Sequence, residues 1–177
     1  MLAAGRTDEK EVWVYLLNAL RDGGHLSEAS AMLVDPRARE YLGGAFEMNE
    51  AFLAAMKNRA PANLAKVRRI AAAVPSGPNT QKSEAIRSMS SLGLVDDAFA
   101  ALNSYAPGMP MSGADAEFLF FTSNRAMRQD PRFIAFAAKF GLTDYWRTSG
   151  HWPDFCAEPI LPYDCKAEAA KVAPVKP

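Results

Sequence analysis

Most of the residues that announce a chemistry are scarce in this chain. Its 177 residues include two cysteines and two histidines, and twenty Lys and Arg balance twenty Asp and Glu. With no net charge there is no long-range field to gather nucleic acid, an acidic substrate or an anionic membrane, so no nucleic-acid partner is expected of this chain alone. Long apolar runs are also missing. Ile70 to Val74 and Phe118 to Phe121 fall far short of the roughly 20 residues a membrane span requires, and no membrane insertion is expected. Residues 1–20 lack the basic and apolar regions of an export signal, since Asp8, Glu9, Lys10 and Glu11 stand where the apolar stretch would be. An exported form would take its signal from elsewhere, and MLAAGRTDEK reads as a chain cut in mid-repeat.

Catalytic signatures are absent too. There is no Gly-x-Ser-x-Gly elbow, no His-Glu-x-x-His and no Gly-x-x-x-x-Gly-Lys loop, and PSGPNTQKS lacks the spacing that wraps a phosphate. His151 lies near Cys156, but His25 is remote in sequence and no short-spaced ligand pairs occur, so neither zinc nor another cofactor is expected. Asp96 and Asp97 are neighbours on a predicted helix and point apart, with Asp96 expected to cap it. Lys66, Arg68 and Arg69 form a local basic cluster, which the neutral chain predicts to be a solvated helix face. The chain is expected not to be an enzyme.

What the sequence does contain is helical periodicity. Asp8 with Glu11 forms a capping box before Val12, Trp13, Leu16, Leu17 and Leu20, a helix that Gly23 and Gly24 end. Further helices are predicted over 27–34, from Asp35-Pro36 to Leu42, over 46–58 with Phe46, Phe52, Leu53 and Met56 inward, over 61–73 and over 80–92. Another runs from the Asp96 cap toward Tyr105. Residues 75–80 and 106–114 read as loops. Asp130 and Pro131 cap and open a helix through Phe133, Phe136, Ala137 and Phe140, stopped by Gly141; a short helix with Tyr145, Trp146 and Arg147 then ends at Gly150. The expected class is all-α.

A repeat organises these helices. Gly24 with Ala29 and Gly93 with Ala98 are two five-residue pairs lying 69 residues apart, about twice the ~34-residue period of a tetratricopeptide repeat. Small residues let paired helices approach, and stacking covers the face that each pair cannot bury alone. The expectation is a short α-solenoid of degenerate pairs, about 8–34, 46–73 and 80–105, capped by 123–165. Together these form one domain over 1–165, followed by a flexible tail over 166–177 that reads as a short fraying helix and a disordered end. Trp13 and Leu16 take the places of the first helix's inward aromatic and leucine. Tyr145, Trp146, Trp152 and Phe155 are expected to seal the open end, with Trp146 and Trp152 structural. Asn18, Arg21, Lys82 and Arg87 are candidates to face a peptide in the inner groove, and Arg147 to contact a partner beside the aromatic group.

Four segments carry a resemblance: Asp130-Pro131-Arg132-Phe133, Phe140-Gly141-Leu142, Asp144-Tyr145-Trp146-Arg147 and Trp152-Pro153-Asp154-Phe155-Cys156. The chain resembles the C-terminal end of the tetratricopeptide-type regions of alphaproteobacterial regulators and cyclase-associated proteins. The resemblance implies a sensory or docking module in the periplasm, belonging to a longer membrane-anchored chain. In some relatives a winged-helix DNA-binding domain and a membrane span come first; neither is in this sequence, which leaves a cytoplasmic repeat protein as the alternative.

Cys156 and Cys165 lie nine residues apart in a proline-rich segment. A disulfide there would imply an oxidising compartment and about 2–3 kcal/mol of loop-closure stabilisation. Two free thiols in a cytosolic protein are the other reading; the spacing is not that of a redox-active pair. The expected function is protein or peptide binding by a monomer or homodimer. The alternative is a small-molecule-binding or hydrolytic domain with a pocket near Met109, Met111 and Phe118.

Overall fold

The computed structural model describes residues 8–74, 79–102 and 117–173, and every regular element among them is helical. The predicted ends at Tyr105, the segments 75–78 and 106–114, and the last residues 174–177 lie outside the described residues. The chain divides into two compact units, Met1–Ser88 and Met89–Pro177. The boundary falls inside a helix.

The first unit runs α1 (Glu9–Asp22), α2 (Leu26–Val34), α3 (Ala38–Leu42), a 3₁₀ turn (Gly43–Ala45), α4 (Phe46–Lys57), α5 (Pro61–Ala72) and the start of α6 (Asn79–Ser91). Its centre is α4. Phe46, Met48, Ala51, Phe52, Leu53 and Ala55 are all buried there, because α2 and α5 both pack against this one helix. Met56, expected inward, is only half-buried. Helix α1 turns Trp13, Leu17 and Arg21 inward at steps of four. Leu16 was expected in that role, but it points outward and Leu17 is the leucine of the core. Trp13 meets Tyr41 of α3 edge-on, with ring centroids 5.7 Å apart.

The second unit continues through α7 (Val95–Leu102), 3₁₀ turns at Glu117–Phe120 and Thr122–Asn124, α8 (Arg125–Arg128), α9 (Arg132–Ala138), α10 (Leu142–Ser149), a further 3₁₀ turn (Asp154–Ala157) and α11 (Cys165–Ala170). Gly141 and Gly150 both have φ +72°, the left-handed conformation that ends a helix without a Cβ clash. Phe133 is fully buried and meets Phe155 edge-on. Trp146 packs on Trp152 with centroids 6.0 Å apart. Tyr145, expected to join this seal, is exposed. Cys156 and Cys165 form a disulfide with Cα atoms 5.7 Å apart. The tail expected to be flexible from 166 carries α11, which Asp164 caps by accepting from the Ala167 N–H and which buries Ala169.

The two glycine–alanine pairs have the same local form. His25 donates to the Leu20 carbonyl and Gly24 to that of Arg21; Leu94 donates to Met89 and Gly93 to Ser90. Each is a Schellman turn, with a left-handed glycine and then a wholly buried alanine, Ala29 or Ala98. Two Asp-Pro-Arg segments also match. Asp35 Oδ1 accepts from the Arg37 N–H at 2.8 Å and from Nε at 3.0 Å; Asp130 Oδ1 accepts from the Arg132 N–H and Nε, both at 2.9 Å. The arginines then reach outward to carboxylates, Arg37 to Glu9 and Arg132 to Asp96. The expected helix starts move slightly, since each prolyl residue precedes its helix. Asp96 likewise lies within α7, where it accepts from Arg132 instead of capping.

These turns and brackets make the fold testable. Gly24→Ala or Gly93→Ala forces a Cβ into the left-handed region and is expected to cost about 1–2 kcal/mol in urea unfolding. The Arg37 contacts hold Asp35 down at about 2, and Arg132 likewise holds Asp130 below its ordinary value. A depressed folded pKa gives stability that is present above the ordinary carboxylate pKa and is lost as pH falls through the folded value. Asp35→Asn with Asp130→Asn is therefore expected to flatten the fall in melting temperature between pH 5 and pH 2.

Candidate functional site

Arg21 is the buried charge of the first unit. Its position on α1 follows from the same four-residue spacing as Trp13 and Leu17, and only 3% of the residue is exposed. A guanidinium out of water needs neutralisation and hydrogen bonds. Nη1 donates to Glu84 of α6 and to Asn49 of α4, Nη2 reaches Ser88 at 3.5 Å, and the group lies 4.2 Å above the Phe52 ring. Glu84 also accepts from the Ser88 hydroxyl at 3.2 Å. Arg87 extends the cluster, 3.2 Å from Asp22 and 3.6 Å from Glu84. Two arginines thus meet two carboxylates.

This arrangement corrects the expected peptide-facing role of Arg21 and Arg87. Both are buried and spend their charges inside the unit. Asn18 and Lys82, proposed beside them, are half-buried. The fifth candidate, Arg147, ties down the C-terminal helix: Nη2 donates to the carbonyls of Ala169 and Val172, both at 3.2 Å, and lies 3.6 Å from Asp144. Of the pocket expected near Met109, Met111 and Phe118, the two methionines lie outside the described residues and Phe118 is buried.

Two polar side chains of the second unit, Arg128 and Tyr163, are also engaged. Arg128 donates to the carbonyls of Leu119 at 2.9 Å and Phe121 at 2.8 Å, and burial lowers its pKa. Tyr163 donates to the Arg128 carbonyl, and burial pushes its phenol well above the usual value. Among the described residues, no three His, Cys, Asp or Glu side chains gather as a metal-binding group, and no helix is long and apolar enough to cross a membrane.

Among the described residues, three surfaces stand out. A cleft of about 410 Å³ lies against the disulfide, lined by Trp152, Asp154, Cys156, Asp164 and Lys166. Another of about 450 Å³ is bordered by Arg39, Glu47, Glu50, Lys66 and Arg69, where the cations of the predicted basic cluster alternate with carboxylates and Lys66 pairs with Glu50 at 3.1 Å. The third is apolar. On the outer face of α1, Val12 is 52% exposed, Tyr15 69% and Leu16 51%, with Ala19 exposed beside them. Positions 12, 15, 16 and 19 fall on one side of a helix, so α1 has two apolar faces. Among the described residues only one is covered. The sequence contained this signal, because seven large apolar residues among the nine positions 12–20 exceed what one buried stripe uses.

The buried network fixes which face that is. Arg21→Met is expected to remove the closest cation from Glu84, leaving it Ser88 and the longer contact to Arg87, and to cost up to roughly 3–5 kcal/mol. In a double-mutant cycle with Glu84→Gln, measured by urea unfolding, the two changes are expected to be non-additive by about 1–3 kcal/mol. A harmless Arg21→Met would return Arg21 to the surface.

No protein-family model matches the chain, and no curated protein and no solved structure is significantly similar to it.

Proposed function

We propose that this chain is a non-catalytic helical module that binds a protein segment, serving as the C-terminal part of a larger bacterial regulatory protein. The observation that carries this reading is the uncovered apolar face of α1, where Val12, Tyr15 and Leu16 stand in solvent on a capped helix. Soluble proteins seldom leave large apolar groups together on one rigid face unless something covers them. Supporting it, the buried arginines are paired within the module, so a rigid scaffold presents the face.

The compartment belongs to the same proposal. A Cys156–Cys165 disulfide suits an oxidising environment, as the periplasmic docking modules that the C-terminal segments resemble would require. The repeated Schellman turns suit a degenerate tetratricopeptide-like solenoid, which binds by preformed surfaces rather than by chemistry. Among the described residues, no observation favours a small-molecule or hydrolytic site over this reading.

Two measurements test it. A photo-crosslinking residue at position 16, in the protein expressed in its own organism, is expected to give discrete protein adducts that the same residue at exposed Ala65 does not. Absence of adducts at 16, or turnover of ester, phosphate or peptide substrates, would contradict the reading. For the compartment, intact mass after alkylation is expected to show both cysteines blocked until reduction. Immediate alkylation of the denatured, unreduced protein would point to the cytoplasm instead.

A further inference from the structure

We infer that the outer face of α1 docks an amphipathic helix with basic flanks. The inference rests on the protein-binding reading above and adds the chemistry of the partner. Val12, Tyr15, Leu16 and Ala19 make a strip about 10 Å long, matching two turns of a facing helix. Helix α1 cannot roll to hide this strip, because its other side is held by the Trp13–Tyr41 contact and by Arg21 bonded to Asn49 and Glu84.

Charge selects the occupant. From Asp8 to Asp22 the charged side chains of α1 are Asp8, Glu9, Lys10, Glu11, Arg21 and Asp22. Arg21 is buried, and Lys10, itself exposed, lies one helical repeat before Leu17 and so on the side of the helix away from the strip. Among the described residues, the charges that α1 itself sets beside the strip are acidic, and the nearest cations are Arg37 on Glu9 and Arg87 on Asp22. Asp8 stands four residues before Val12, Glu11 four before Tyr15, and Asp22 seven after Tyr15, which places them along the edge of the strip. Glu9 is engaged by Arg37 and Asp22 by Arg87, but Glu11 is exposed at the rim. A basic partner would gain contacts here, and an acidic one would be repelled.

The same features disfavour a second copy of this chain. Two copies related by a twofold axis through α1 would set acidic borders against each other. Three half-exposed side chains also fall well short of the roughly 800 Å² per partner that a stable interface needs. A separate cationic helix, binding reversibly, fits both facts.

The probe is a pair of labelled synthetic helical peptides with the same leucine stripe, one flanked by lysine and one by glutamate, titrated by fluorescence anisotropy. The lysine-flanked peptide is expected to bind saturably and at least tenfold more tightly than the other, and to weaken as salt is raised. Leu16→Glu, or Val12→Glu as a second variant, should weaken it at least tenfold with an unchanged circular dichroism spectrum, and Glu11→Lys should narrow the preference between peptides. Binding that ignores these variants, a preference for the glutamate-flanked peptide, or no binding of the lysine-flanked peptide would each overturn the inference. If adducts still form at position 16 in the organism, the protein-binding reading survives that failure; if they do not, both fall.

Discussion

The neutralisation of Arg21 is the constraint on which the first unit depends. A guanidinium inside a helical core is tolerated only when carboxylate and amide partners surround it, and those partners come from two other helices, Asn49 on α4 and Glu84 on α6. The ion pair therefore does more than add stability. It ties the first helix to the last of the unit and sets the rotation of α1 about its own axis. Once Arg21 points inward, Trp13 and Leu17 must point inward with it, and Val12, Tyr15 and Leu16 must point out. An exposed apolar strip follows from a buried charge.

The second unit solves a comparable problem with different groups. Arg128 is buried against carbonyls instead of carboxylates, and its backbone receives the Tyr163 hydroxyl. The disulfide, the Asp164 cap and the two Arg147 hydrogen bonds together hold the last helix in place. Short elements rich in turns bury less apolar area per residue than long helices do, and each of these clamps offsets part of that shortfall. Both units also use an Asp-Pro-Arg bracket, in which the arginine folds back on its own turn and then reaches a carboxylate on an earlier helix.

How much of this was legible in the sequence depended on how local the signal was. Helix ends were readable wherever a glycine or an Asp-Pro pair decided them, since Gly24, Gly93, Gly141 and Gly150 act through their own backbone. Ala29 and Ala98, each five residues after such a glycine, are both wholly buried. The rotation of α1 was not. With apolar residues on both sides, periodicity alone could not choose Leu17 over Leu16, and the deciding partner, Glu84, lies 63 residues away. Arg21 and Arg87 looked like peptide contacts because charged residues are usually exposed, and burial became visible only with their carboxylates beside them. Asp96 was assigned to a cap because its long-range partner, Arg132, was hidden in the same way. A short fraying helix was legible after Cys165, but not what holds it, because its anchor, Arg147, sits 22 residues upstream of Ala169.

Hydroxyl-radical footprinting of α1, on purified protein and within its own organism, tests the central claim most directly. The account predicts that Tyr15 and Leu16 oxidise readily in the purified protein and become protected in the organism, while Trp13 and Leu17 stay protected in both. Equal labelling of Tyr15 and Leu16 in the two settings would mean that nothing covers the strip. Labelling of Trp13 and Leu17 in the purified protein would mean that Arg21 does not hold the helix as described.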